Sequence, residues 1–180
     1  MTICTQDRIC LFGDVVDDNM RLSDAGQIVR AVWEQMPERY CGVDLDAFVI
    51  MPNHIHGIVV LNVGAGPRAC PDCGQPQGVA PTTPMSLPQV VHRFKSLITA
   101  RYRRAVVERG WPAFRGRVWQ RNYYEHIIRN EEELRKLRKY ISDNPLAWAV
   151  DRENPDAMWA KARPCPPVDD IERIFGGVRP

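Results

Sequence analysis

Apolar positions along the chain change period several times, and each change marks an element. Thr2 to Val16 mixes β-branched residues with Cys and Phe, which predicts one or two short strands broken near Asp7-Arg8. Ser23-Asp24 offers a helix N-cap, and Ile28, Val29, Val32, Trp33 and Met36 follow at helical spacing until Pro37. Val43, Leu45, Ala47 and Val49 alternate, the period of a strand. After the tight turn Met51-Pro52-Asn53, His54 to Leu61 is almost entirely β-branched and apolar, so the two strands form an antiparallel hairpin with the second inside the sheet.

Residues 63–87 recur in Gly and Pro without periodicity, which predicts a mobile insertion. Pro88 then opens a long helix with Val90, Val91, Phe94, Leu97, Ile98 and Tyr102 on one side, ending at Gly110-Trp111-Pro112. Val118 to Ile128 has the aromatic content of a further strand. Asn130 caps the next helix, and the Asn130/Glu133 pair has capping-box spacing. Glu131, Glu132 and Glu133 suit that helix's positive end, and Pro145 stops it at Asn144. The first six elements follow the order β-α-β-β-α-β, an α+β, ferredoxin-like antiparallel sheet, with one more helix added at the C-terminal side. The expected organisation is one domain over 1–148, interrupted by 63–87, with a Pro- and charge-rich tail over 149–180 laid across it.

Composition narrows the class. The 180 residues suffice for one domain with a real core, and no run approaches about 18 apolar residues, so no membrane span is expected. The N-terminus has no basic segment leading into an apolar one, and the expected location is the cytoplasm. Six cysteines in such a chain read as thiols. Cys70-Pro-Asp-Cys73 has metal-like spacing, but no second pair follows, and the Gly and Pro around it favour a flexible loop over zinc.

Charge is polarised although the net is only +2: residues 1–90 carry 5 basic and 10 acidic side chains, residues 91–139 carry 14 and 5. Such a segment can form a basic face for a phosphate backbone, or an ordinary solvated helix surface.

His54 and His56 are the clearest chemical signal. Side chains two apart on a strand share a face, so both imidazoles point the same way and can chelate a divalent cation. His-x-His alone is also common as structure. Its setting, Met51-Pro52-Asn53-His54-Ile55-His56-Gly57, is more specific. A second block runs Val118-Trp119-Gln120-Arg121-Asn122-Tyr123-Tyr124-Glu125-His126-Ile127-Ile128-Arg129, and a third is Tyr140-Ile141-Ser142-Asp143-Asn144-Pro145.

Across Thr2 to Trp148 these blocks resemble transposases of the IS200-like HUH tyrosine group, especially the domesticated relatives associated with repetitive extragenic palindromes. The resemblance implies a metal-dependent, single-strand-specific nuclease and strand-transferase that recognises a DNA hairpin, cuts beside it and holds the 5′ end as a phosphotyrosine. It implies Tyr140 as nucleophile, His54 and His56 as ligands of Mg²⁺ or Mn²⁺, and Asn144, where many relatives have Gln, as the third ligand. Relatives usually carry an Arg-rich lead-in before the equivalent of Thr2, so a shortened and impaired copy is expected.

Helix geometry agrees with that assignment. At about 100° per residue, Leu134, Leu137 and Ile141 make one stripe, and Tyr140 and Asn144 border it. Candidate DNA contacts are Arg93, Lys95, Arg101, Arg121, Tyr124, Arg138 and Lys139, the tyrosine by stacking on an unpaired base. Tyr123 and Tyr124 compete for the nucleophile's role. The partner is single-stranded or hairpin DNA, with monomer and homodimer both open. Two rival readings are a hairpin-binding protein of the same fold without catalysis, and a His-x-His metallohydrolase acting through metal-bound water.

Overall fold

The computed structural model describes residues 1–62 and 85–157. The Cys70/Cys73 loop and most of the 63–87 insertion lie outside the described residues, as does the tail from 158 onward.

The fold is α+β. Strand β1 (Thr2–Cys4) lies beside β5 (His54–Leu61), and β5 pairs on its other edge with β4 (Val43–Ile50); every pairing is antiparallel. Between β1 and β4 the chain makes a hairpin, β2 (Gly13–Val16) and β3 (Asn19–Leu22), followed by helix α1 (Asp24–Glu34) and the short α2 (Met36–Arg39). Helix α3 (Leu87–Arg109) and helix α4 (Glu131–Asp143) complete the regular elements, and a 3-10 stretch, Asn144–Val150, continues α4. Among the described residues no helix is long and apolar enough to cross a membrane.

Local chemistry explains the breaks. Asp7 and Arg8 both have positive φ (56° and 54°), which ends β1 where the sequence predicted a break. Asp17 (φ 51°) and Asp18 (φ 59°) form the turn of the β2–β3 hairpin, since two left-handed residues match the twist of paired strands. That hairpin was not anticipated from the sequence. Ser23 caps α1 by accepting from the Gly26 amide at 3.2 Å. Pro37 does not end helical structure as expected: it sits in the first turn of α2, where its missing N–H has no intrahelical acceptor to lose.

One face of the sheet packs on α1 and α3. Ile3, Val29, Val32, Trp33, Ile55, Phe94 and Ile98 are among its buried residues. Trp33 stacks on Phe48 with ring centroids 4.2 Å apart and touches Phe94 edge-on. The other face carries a smaller cluster of Ile58, Leu137 and Ile141, where α4 docks.

β4 does not keep the simple alternation read from its sequence. Leu45 pairs with Val59 but Phe48 with Gly57, so one extra residue bulges between them. Val43, Leu45, Phe48 and Ile50 therefore face α1 and α3, while Ala47 and Val49 turn to the α4 cluster. Asp46, at the bulge, binds the Arg138 guanidinium of α4 through both carboxylate oxygens, at 3.0 and 2.6 Å. The irregularity thus forms part of the docking of α4.

The segment 118–128 runs antiparallel along the outer edge of β1, giving the spatial order expected of a ferredoxin-like sheet, but it is not one continuous strand. It bridges at Thr5–Trp119 and at Thr2–Tyr124, leaving two surplus residues between the bridges. The Lys95 ammonium explains the gap, for it donates to the carbonyls of Gln120, Arg121 and Asn122 at 2.9, 3.3 and 3.1 Å. Carbonyls turned towards α3 are turned away from β1.

Candidate active site

The site lies on the α4 face of the sheet. The two-residue period of β5 places His54 and His56 there, with Ile55 in the opposite core. Both imidazoles are buried, and their Nε2 atoms are 3.1 Å apart. Such a separation suits two ligands on one cation with bonds of about 2.1 Å.

Each ring is held from behind. Asn53 is fully buried, and its Nδ2 donates to the backbone oxygens of Arg8 and Glu153. With the nitrogen so placed, Asn53 Oδ1 faces His54 Nδ1 at 2.9 Å and accepts its proton. Neutral His54 then presents a lone pair at Nε2. His56 Nδ1 lies 2.8 Å from the Thr2 hydroxyl. If His56 Nδ1 donates to Thr2, both Nε2 lone pairs point into the same space. This arrangement resembles the outer support that orients metal-binding histidines.

Burial also sets the charge state. It lowers the His54 pKa to about 4, against the opposing pull of the Glu153 carboxylate and the Asn144 side chain. His56 is pushed well below its ordinary value, first by burial and then by His54 beside it. Near neutral pH both rings are uncharged, the form that coordinates metal.

Helix α4 brings the remaining predicted groups. Asn130 caps it, accepting from the Glu133 amide at 2.9 Å. Glu133 accepts from the Arg129 amide and pairs with His126, so His126 has a structural partner and the full reciprocal box does not form. Leu137 and Ile141 bury against Ile58, which carries Tyr140 to the edge of the histidine pair. The Tyr140 and His56 rings meet edge to face, with centroids 5.2 Å apart. Asn144 is buried beside His54, and its Oδ1 has no donor at hydrogen-bonding geometry, although it lies close enough to draw the His54 pKa upward.

His54, His56, Tyr140 and Asn144 therefore converge. The two imidazoles and the unsatisfied amide oxygen fit a divalent cation, because all three can offer lone pairs. Among the described residues, no three His, Cys, Asp or Glu side chains form a metal-holding group, so this donor set depends on the amide.

The other tyrosines sit elsewhere. Tyr123 packs on the main core beside Lys95, and burial followed by Glu125 raises its pKa to about 12. Tyr124 lies opposite Thr2 on the outer edge.

The basic candidates divide. Arg93 and Arg121 are exposed. Lys95 holds the 120–122 carbonyls, Arg101 donates to Gln35 Oε1 at 2.6 Å, Arg138 binds Asp46 and Lys139 pairs with Asp143.

Sequence reasoning missed the turn after the 3-10 stretch. Within the tail expected to lie across the domain, 151–157 buries Asn154 and Ala157, and Glu153 pairs with Arg8 at 2.8 Å. Asp151 Oδ2 comes within 3.8 Å of His54 Nε2. Its only local cue was turn chemistry, an Asp followed by Asn154-Pro155.

Compared with curated proteins, the chain is 36% identical over 160 residues to an uncharacterized protein of Haemophilus influenzae, an alignment covering 84% of this chain and 82% of that one. No family model matches, and no solved structure matches.

Proposed function

We propose that this chain, which belongs to the same family as the uncharacterized Haemophilus influenzae protein, cuts and rejoins single-stranded DNA at hairpins in the cytoplasm by tyrosine chemistry of the HUH transposase type. The observation that carries the reading is the meeting of Tyr140 with His56, next to Asn144 and His54, although the two pairs are far apart in sequence.

The residues divide the work. His54, His56 and Asn144 would hold Mg²⁺ or Mn²⁺. When bound, such a cation polarises the scissile phosphate and stabilises the leaving 3′-oxygen. A tyrosine hydroxyl has an ordinary pKa of about 10, so it needs activation to act as a nucleophile near neutrality. Tyr140 Oη bonds to phosphorus as the bond from phosphorus to the 3′-oxygen breaks. The phenolic proton leaves to solvent, and the 3′-oxygen takes one up. The product pair is a 5′-phosphotyrosine and a free 3′-hydroxyl. Attack by another 3′-hydroxyl reverses the step and reseals DNA without a nucleotide cofactor.

Hairpin DNA incubated with the chain and Mn²⁺, then run on a denaturing gel, tests the proposal. A protein–DNA band that needs Tyr140 is the expected result. Hydrolysis without an adduct would replace this reading by a water-using metallohydrolase, and binding without cleavage by a DNA-binding role.

A further inference from the structure

The geometry points to Asp151 as a fourth, anionic ligand of the same cation site, an inference that rests on the metal-site part of the reading above. Three observations carry it. Asp151 Oδ2 lies 3.8 Å from His54 Nε2, and its carboxylate is largely buried. Its other oxygen accepts from the Glu153 amide at 2.7 Å, which fixes the carboxylate's direction. The turn bearing it is held independently: Asn154 Nδ2 donates to the Trp148 carbonyl, the Arg8 guanidinium pairs with Glu153, and Asn53 binds the Glu153 carbonyl.

The electrostatics of the site favour a cation between these groups. In the tautomer set by Asn53, His54 Nε2 carries a lone pair, and a carboxylate oxygen faces it. Asn144 Oδ1, buried and without a donor at hydrogen-bonding geometry, is a further acceptor close to His54. Acceptors facing one another repel unless a proton or a metal ion joins them. Two neutral imidazoles and an amide are also a nitrogen-rich, uncharged set. Mg²⁺ and Mn²⁺ favour oxygen ligands, carboxylates above all. Asp151 would supply the negative oxygen which that set lacks by drawing in around a bound cation, since as they stand no three His, Cys, Asp or Glu side chains among the described residues form a metal-holding group. The same Asn53 side chain that orients His54 also anchors the Asp151 turn, so both halves of the site share one support.

Calorimetric titration of the full chain with MnCl₂ tests this without any DNA reaction. Asp151→Asn keeps an oxygen for the Glu153 amide and removes the charge. It is expected to weaken Mn²⁺ binding at least tenfold at an unchanged melting temperature, while His54→Ala abolishes binding. Asp151→Ser, which also keeps an acceptor oxygen, repeats the measurement if the Asn variant melts early. Wild-type affinity in both Asp151 variants, with binding lost in His54→Ala, would overturn the role of Asp151 and leave the histidine site standing. A wild-type chain that binds no Mn²⁺ would overturn both. The tyrosine reading is judged separately by the DNA adduct.

Discussion

The Tyr140 ring stands edge-on to the His56 ring, with centroids 5.2 Å apart and planes inclined by 69°. This contact depends on the ring, whereas the proposed chemistry depends on the hydroxyl. Tyr140→Phe should therefore keep the packing and lose the reaction. The expected outcome is no covalent DNA adduct, Mn²⁺ affinity within about twofold and stability within about 1 kcal/mol of wild type. Adduct gels, calorimetry and a denaturant melt check the three parts. An adduct that survives Tyr140→Phe but disappears in Tyr123→Phe or Tyr124→Phe would move the nucleophile to the edge segment.

Acid should destabilise the metal-free protein through the histidine pair. His54 has a folded pKa of about 4, below its ordinary 6.5, so the unfolded chain binds more protons between those values. Stability then rises with pH across that window and falls on acidification from about pH 6.5 towards 4. A displacement of that size corresponds to on the order of 3 kcal/mol for His54. His56 is lowered in the same direction and adds to the effect. Urea denaturation at pH 7.5, 6 and 5 measures it. His54→Gln should flatten the dependence, and an equally steep loss in that variant would assign it to other groups.

Asn53 joins the two halves of the site. Asn53→Ala removes the acceptor at His54 Nδ1 and the donors to the Arg8 and Glu153 carbonyls, all in a buried position. The expected cost is about 1–3 kcal/mol of stability. A roughly 10–100-fold weaker Mn²⁺ affinity is also expected, the usual effect of removing outer support from a ligating histidine. Melts and titrations on the same preparation separate the two effects. Unchanged metal affinity would mean that His54 needs no such orientation.

Gly57 belongs to the histidine strand β5 and faces the aromatic core. A Cβ there would meet Trp33 at 2.6 Å and Phe48 at 3.2 Å, and the indole is buried and stacked rather than free to swing. Gly57→Ala should cost about 1–3 kcal/mol by overpacking. It should also disturb His56, its neighbour on β5, and so reduce Mn²⁺ affinity. A denaturant melt showing wild-type stability would count against this packing.

Lys95 gives a test that separates fold from DNA contact. Its ammonium donates to three carbonyls of the edge segment, so Lys95→Met should lower stability by about 2 kcal/mol. The slope of log affinity for hairpin DNA against log salt should stay unchanged. A slope reduced by nearly one would instead assign Lys95 to a phosphate.

The sequence by itself determined whatever depends on neighbours two to four residues apart. Strand period put His54 and His56 on one face, helix period put Tyr140 and Asn144 beside the Leu137/Ile141 stripe, and Ser23 and Asn130 marked helix starts through their own side chains. Tertiary structure decided the rest. The β4 bulge goes with an Asp46–Arg138 pair spanning 92 positions, and Lys95 interrupts an edge strand 25 residues and more away. Asn53 reaches Glu153 across 100 positions, which brings Asp151 to the histidines. Periodicity records which way a side chain points within its own element. Which partner it meets depends on how distant elements dock, and neither the bulge nor the 151–154 turn leaves a periodic trace.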